Sequence, residues 1–163
     1  MESTLAASTV ITPEQLLKHW QGHRTLTRRV IEAFPEDKLF NYSVGGMRPF
    51  SELALEMTGI AFPGMEGIVN RTWESFTDFS SNPPKTKKEL LEVWDEATDH
   101  INEWWPKIPA DRFQEMDKAF GQYEGPVFWH MFYFIDNEIH HRAQGYVYLR
   151  SLGIAPPPFW ERE

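Results

Sequence analysis

Several features are absent from this chain, and each absence narrows what it can be. Its 163 residues include no cysteine, so the protein has no disulfide, thiolate ligand or cysteine nucleophile, which suits a reducing compartment. No run of about 18 apolar residues occurs, and residues 1–11 lack the positive start and apolar centre of a signal peptide. We therefore expect a cytoplasmic protein with no membrane partner.

Positive charge and nucleotide-binding motifs are also scarce. Sixteen Lys and Arg stand against 24 Asp and Glu, a net charge of −8, and no basic run could follow a phosphate backbone. The sequence has no Gly-x-Gly-x-x-Gly, no phosphate-binding loop and no Gly-x-Ser-x-Gly elbow. Nucleic acid is not an expected partner, and any substrate is a small molecule that the sequence does not identify.

Strand patterns are nearly missing, and helical periodicity dominates instead. Apolar residues recur at a spacing near 3.6 over residues 13–34, 49–76, 86–105 and 126–152, with a weak strand pattern only at residues 113–116. Thr12, Pro13 and Gln15 predict a capping box at the first helix, and Thr86 with Glu89 predicts another. These features predict one all-α domain, a four-helix bundle over residues 12–155 with tails at 1–11 and 156–163.

Glycine and proline interrupt the second predicted helix near its middle. Gly59, Pro63, Gly64 and Gly67 all fall within that segment. Proline removes a backbone donor and crowds the preceding turn, so a kink or break is expected there.

Residues 136–144, in the last predicted helix, place polar groups within an otherwise aromatic segment. At about 100° per residue, His130, Asn137, His141 and Tyr148 fall within roughly 40° on one face. A buried polar group without a partner costs about 1 to 3 kcal/mol, so hydrogen bonds, a metal or solvent must satisfy these side chains. A second apolar face, which includes Phe128, Ile135 and Ile139, leads us to expect a homodimer.

Three sequence blocks resemble the DinB/YfiT-like family. They are Phe-Ser-Glu-Leu at residues 50–53, His-Arg-Ala-Gln at 141–144, and Tyr-Val-Tyr-Leu-Arg-Ser-Leu-Gly-Ile-Ala-Pro-Pro at 146–157. The resemblance implies an up-down-down-up four-helix bundle with one long crossover, often a homodimer. In many members it also implies a divalent metal bound by three histidines, and related members are thiol-dependent transferases and isomerases.

The resemblance places the three metal-ligand positions on residues that differ from the family pattern. The last histidine falls on His141, the one a turn earlier on Asn137, and the helix-two histidine on Glu56. The implied site is an altered one for zinc, nickel, iron or manganese, or one with no metal at all. If it is active, Glu56 and His141 would be ligands, Asn137 the weak third group and His130 the nearest proton-transfer candidate.

Other interpretations of these side chains remain open. Glu56 is also typical of a solvated carboxylate at a helix border, Asn137 of a buried, hydrogen-bonded amide, and His141 of a packed core histidine. Two functions follow from this choice. One is a metal-dependent enzyme, a hydrolase or thiol-dependent transferase, with an altered metal site, and the alternative is a metal-free bundle that binds a small molecule or serves as a structural dimer.

Overall fold

The computed structural model describes residues 9–163, so most of the predicted 1–11 tail lies outside the described residues. The helices are α1 (Pro13–Ala33), α2 (Glu36–Asn41), α3 (Phe50–Asn70), α4 (Lys87–Trp104) and α5 (Val127–Ser151). Strands β1 (Met116–Ala119) and β2 (Tyr123–Pro126) form an antiparallel hairpin, and 3₁₀ turns occupy Trp105–Lys107 and Ala110–Gln114. Across residues 9–163, no helix combines the length and the apolar character needed to cross a membrane.

The four long helices, α1, α3, α4 and α5, pack as a bundle. Pairs of contacts fix the directions of these helices. Between α1 and α4, Gln21 contacts Asn102 and Arg28 contacts Asp95; between α1 and α5, Trp20 contacts Glu138 and His23 contacts Arg142. Between α3 and α5, Phe50 lies against Gly145 and Gly64 against Phe134. Residue numbers rise together between α1 and α5, but run in opposite directions between α1 and α4 and between α3 and α5. The helices therefore run up-down-down-up, and the predicted all-α bundle is confirmed.

The helix starts follow the predicted capping chemistry closely. Thr12 accepts a hydrogen bond from Gln15 N, while the Gln15 side chain accepts one from Thr12 N, which completes the capping box of α1. At α4, Thr86 accepts from Glu89 N. The Glu89 carboxylate, however, accepts from Lys85 N at 2.7 Å, so only half of that predicted capping box forms.

Of the kink or break predicted in the second long helix, the break is wrong, because α3 continues through Pro63 and a distant backbone group replaces the donor that proline lacks. Pro63 has no N–H to offer Gly59, four residues earlier. The N–H of Thr77 instead donates to the Gly59 carbonyl oxygen at 3.0 Å. A Cβ on Gly59 would lie 2.8 Å from the Thr77 oxygen, so glycine permits this close approach. The extended segment 71–80 is thereby held against the side of α3.

Sequence periodicity also misplaced two segments. The predicted helix reached residue 76, but α3 ends at Asn70, followed by Arg71 with φ 63° in the left-handed region. The weak strand pattern at residues 113–116 marks the end of a 3₁₀ turn and the first residue of β1, and the hairpin lies further along the chain. The short helix α2 lies in a predicted connection.

Apolar side chains form two buried clusters along the bundle. One includes Trp20, Met65 and Met131, and the other includes Trp94 and Leu149. In α5, residues 127–135 supply the first cluster and residues 148 and 149 the second. Residues 137–142 lie between them in sequence, so the polar part of α5 falls between the two apolar clusters.

Candidate functional site

Glu56, Asn137 and His141 lie together where α3 faces α5, as the sequence prediction requires. His141 Nε2 lies 2.8 Å from Glu56 Oε1, and Asn137 Nδ2 donates to the same oxygen at 3.2 Å. Asn137 and His141 are one turn apart on α5, so both side chains reach one carboxylate on the antiparallel helix. We call these three residues, together with Arg48, the Glu56 cluster.

Arg48 completes the cluster from the loop that leads into α3. Its guanidinium donates to Glu56 Oε2 and forms an ion pair with that carboxylate. The Tyr148 hydroxyl donates to the Arg48 carbonyl oxygen at 2.9 Å, which fixes the loop against α5. Both oxygens of Glu56 are therefore occupied by donors from the protein itself.

These donors keep the carboxylate of Glu56 ionised over a wide pH range. Burial alone would raise the pKa of Glu56, but hydrogen bonds from Arg48, His141 and Asn137 outweigh it and lower the pKa to about 2. A carboxylate accepts hydrogen bonds only, so His141 must present an N–H at Nε2.

The second ring nitrogen of His141 also faces an acceptor. His141 Nδ1 lies 2.8 Å from Gln144 Oε1. This arrangement is satisfied by an imidazolium with both N–H groups, whereas a neutral ring would need Gln144 to present its Nε2 group instead. With an imidazolium, Glu56 lies between two positive charges, those of Arg48 and His141.

Asn137 keeps one buried polar atom without a partner. Its Oδ1 is buried and accepts no hydrogen bond from any described residue, while Nδ2 donates to Glu56. A buried carbonyl oxygen of this kind needs a water, a ligand donor or a cation beside it.

The side chains of the cluster fit a divalent metal poorly. Only Glu56 and His141 are strong ligands for zinc, nickel, iron or manganese, and an amide oxygen adds little charge. Over residues 9–163, no group of three or more His, Cys, Asp or Glu side chains converges on one point. Arg48 also pairs its permanent positive charge with Oε2, the second oxygen of the carboxylate that a metal would use. The donor set and its charge both oppose a cation.

A cleft of about 390 Å³ opens beside the cluster, between α3 and the extended segment 71–86. Its walls are formed by Arg48, Glu52, Leu55, Glu56, Thr77, Phe79, Ser80 and Pro83. The hydrogen bond from Thr77 to Gly59 holds one wall in place, and helix α3 supplies the other. The cleft combines hydroxyl, guanidinium and carboxylate groups with a larger apolar surface.

His130 lies away from this cluster. It is eleven residues before His141 in the same helix, which places it roughly 16 Å away along the axis. Its Nε2 lies 3.2 Å from the Asp117 carbonyl oxygen, to which it donates. At that distance His130 cannot exchange a proton with the Glu56 cluster directly, so the two sites are separate.

A second polar group, which sequence analysis missed, joins α5 to α1. Glu138 of α5 accepts hydrogen bonds from Trp20 Nε1 at 3.3 Å and from Thr27 Oγ1 at 2.8 Å, both on α1. Arg24 NH1 lies 3.5 Å from Glu138, and both side chains are 2% exposed. The sequence does contain a signal for this buried polar group. His23 and Thr27 are polar residues at positions where the helical spacing of α1 otherwise places apolar side chains.

Arg142 extends this group towards His23. It donates to His23 Nδ1 at 2.9 Å and to Thr27 Oγ1 at 3.2 Å. Burial, with further contributions from Arg142, His19 and Arg162, lowers the pKa of His23 to about 3. His23 is therefore neutral and part of the packing. The Nε2 atoms of His19 and His23 lie 3.2 Å apart and form a hydrogen bond. The positive charges of Arg142 and Arg162 beside this pair oppose the binding of a metal ion.

Comparison with known proteins shows a family match over part of this chain and a shared fold over most of it. The model of the DinB family matches residues 130–162, the segment that includes Asn137 and His141. The fold is that of a DinB-like four-helix bundle, as two crystal structures illustrate. No curated protein matches the sequence.

Both solved structures are bacterial DinB-like proteins. The one from Bacillus cereus has a TM-score of 0.72 and 18% identity, over 89% of this chain and 95% of that chain. The one from Bacillus subtilis has a TM-score of 0.69 and 16% identity, over 91% of this chain and 99% of that chain. This chain therefore has a DinB-like fold, and the part that matches the family model includes the sequence block at 141–144 and the block at 146–157.

Proposed function

We propose that this chain is a DinB-like bundle that binds a small polar molecule in the cleft beside the Glu56 cluster without a resident metal ion. The observation that carries the proposal is the ion pair between Arg48 and Glu56. It neutralises the carboxylate that would otherwise attract a cation, and it leaves the remaining guanidinium N–H groups to face the cleft.

The chemistry of the cleft defines the kind of molecule it would take. Arg48 offers hydrogen-bond donors, while Leu55 and Phe79 offer apolar contact. A volume of about 390 Å³ is within the range of small-molecule sites. The ligand would be a compact organic molecule with a hydrogen-bond acceptor for Arg48 and an apolar part for Phe79.

Ligand-observed NMR with a library of small organic acids, amides and amines tests this proposal. We expect binding compounds to lose affinity in Arg48→Met and in Phe79→Ala, both of which alter the cleft walls. Lys88→Ala is a suitable control, because Lys88 is highly exposed on α4 and pairs only with Glu92. Compounds that bind all three variants equally would show that the cleft is not the binding site.

A metal-dependent enzyme, a hydrolase or thiol-dependent transferase, is the second candidate. The unpartnered Asn137 Oδ1 favours it, because a cation is one group that this buried atom could contact. In that case Glu56, Asn137 and His141 would hold the metal, which would lower the pKa of a bound water or thiol. One equivalent of metal in protein purified without chelators or a nickel column, absent from His141→Ala, would support this candidate.

A homodimer and a cytoplasmic location complete the proposal. Ile135 is 1% exposed, so the face predicted through Phe128, Ile135 and Ile139 is partly covered within the chain. Phe132, Ile139 and Val147 remain exposed on α5 and are the apolar residues that a second copy would cover. Sedimentation velocity of the wild type and of Val147→Lys tests the dimer, and cell fractionation tests the location.

A further inference from the structure

A second cavity lies outside the Glu56 cluster and is almost entirely aromatic. It has a volume of about 280 Å³ and lies between the β1–β2 hairpin, the first half of α5 and the segment after α3. Its aromatic walls are formed by Phe76, Phe120, Tyr123, Trp129, Tyr133 and Phe134. We call this cavity the aromatic pocket.

Two backbone features bring these rings together. A Cβ on Gly125 would lie 2.4 Å from Trp129 Cε3, so only glycine lets the indole lie against the hairpin. Phe120 has φ 53°, in the left-handed region that bulky residues avoid. Strain of this kind costs about 1 to 3 kcal/mol and is concentrated at ligand clamps and active sites.

The strained residue directs its ring into the pocket wall. The Phe120 ring lies 4.3 Å from that of Phe76 and 5.2 Å from that of Trp73, between centroids. The surrounding rings therefore hold Phe120 in a conformation that the hairpin alone would not favour. A simple turn would be served better by a second glycine, as at Gly121.

The rim of the pocket exposes more aromatic surface than folding requires. Phe76, Tyr123, Trp129 and Tyr133 are 45%, 52%, 55% and 56% exposed, whereas Phe134 at the floor is 4% exposed. Exposed apolar residues are ordinary when scattered singly, but a cluster around one concave pocket marks a binding site.

The charge at the rim identifies the class of ligand. Asp136 lines the pocket beside Tyr133, three residues earlier on the same helix, and no lysine or arginine within residues 9–163 lines it. Among the described residues, Asp136 forms no ion pair within 4 Å, so its carboxylate is available. His130 donates its Nε2 hydrogen to the Asp117 carbonyl oxygen, so that N–H is already taken.

We propose that the aromatic pocket binds a small soluble organic cation, a methylated or quaternary ammonium compound. The faces of Trp129, Tyr123 and Tyr133 carry the negative part of the ring quadrupole and attract a cation without a directed hydrogen bond. Asp136 supplies the opposite charge at the mouth. A neutral apolar ligand would gain contact with the rings but nothing from the carboxylate.

This site is independent of the proposed cleft. His130, which lines the aromatic pocket, and His141 are separated by roughly 16 Å of helix rise. Loss of binding at one site therefore leaves the other intact, and each proposal can fail separately.

Isothermal titration with choline and with its neutral isostere 3,3-dimethylbutan-1-ol tests the proposal on the whole chain. We expect choline to bind and the isostere to bind roughly 2- to 30-fold more weakly, the range that corresponds to one cation–π contact. Trp129→Leu and Tyr133→Leu are each expected to weaken choline binding by a similar factor. Tyr133→Phe keeps the ring and is expected to retain the affinity.

Two further variants separate the contribution of the Asp136 charge to choline affinity from nonspecific effects of substitution. Asp136→Asn is expected to weaken choline binding about 2- to 5-fold, as for an exposed ion pair, and to reduce its salt dependence. Phe159→Leu is the matched control, because Phe159 is an exposed aromatic outside the proposed dimer surface that does not line the pocket. Its affinity for choline is expected to equal that of the wild type.

Several results would overturn the assignment. They are equal affinity for choline and its isostere, no heat with choline at millimolar concentrations, and unchanged binding in Trp129→Leu. Binding of phosphatidylcholine vesicles without binding of free choline would also overturn it, because the ligand would then be a lipid surface. Circular dichroism confirms folding, and Asp136→Asn, with its expected loss of affinity and of salt dependence, carries the test if a leucine variant does not fold.

Discussion

Replacing Glu138 is expected to destabilise the bundle more than any surface change. Glu138 and Arg24 are each 2% exposed and lie 3.5 Å apart across the α1–α5 contact. Burial lowers the pKa of Arg24 to about 10, and the opposing effect of Glu138 keeps the guanidinium charged. Removing the carboxylate therefore leaves a buried positive charge without its partner.

The interactions that Glu138→Leu removes determine the expected loss in the free energy of unfolding. Breaking one partner of a buried ion pair costs about 3 to 5 kcal/mol, a large share of the roughly 5 to 15 kcal/mol by which such domains are stable. Trp20 Nε1 and Thr27 Oγ1 also lose their acceptor. Glu138→Gln keeps an acceptor for both and is expected to cost less, about 1 to 3 kcal/mol.

Urea unfolding followed by far-UV circular dichroism at pH 7 measures these free energies. Combining Glu138→Leu with Arg24→Met should recover at least about 1 kcal/mol relative to the sum of the single losses, because the two charges leave together. Arg24 also bonds the Trp94 carbonyl oxygen at 2.8 Å, so the recovery is partial. A loss below about 1 kcal/mol for Glu138→Leu, or strict additivity, would refute the argument.

Three further predictions concern the surroundings of Glu56. Since its pKa falls from 4.5 to about 2 on folding, its ionised form contributes stability above about pH 4.5 that is lost as pH falls towards 2. With its partial exposure discounted, Glu56→Gln should lose about 1 kcal/mol at pH 7 and progressively less below pH 4 in urea titrations. Arg48→Met should raise the pKa of Glu56, as carboxyl-carbon NMR would measure, and an unchanged value would remove Arg48 as a cause. Gly59→Ala should cost about 1 to 3 kcal/mol in thermal unfolding, because its Cβ would lie 2.8 Å from the Thr77 oxygen; an unchanged midpoint would contradict the close packing of segment 71–80.

Local signals in the sequence were enough for most of the fold. Periodicity near 3.6 placed the four long helices, and Thr12 with Gln15 correctly marked where α1 begins. The same reasoning failed at Pro63, because the donor that satisfies Gly59 comes from Thr77, just beyond the end of the predicted helix. A partner eighteen residues away cannot be inferred from local pattern alone.

The candidate site was only partly accessible from the sequence. The family resemblance brought Glu56, Asn137 and His141 together, and the structure places them within hydrogen-bond distance. Arg48 was missed because it lies in an irregular loop whose direction no periodicity describes. The separation of His130 could have been foreseen, since eleven residues of helix rise roughly 16 Å.

The most direct test of the proposed metal-free site is a calorimetric titration of zinc and of nickel into chelator-treated protein. Wild type is compared with the double variant Glu56→His with Asn137→His, which rebuilds three imidazoles around one point. We predict no stoichiometric site in the wild type and one metal per chain in the double variant, because three imidazoles are the donor set that zinc and nickel bind well. One tightly bound metal per wild-type chain, lost in His141→Ala, would contradict the proposal.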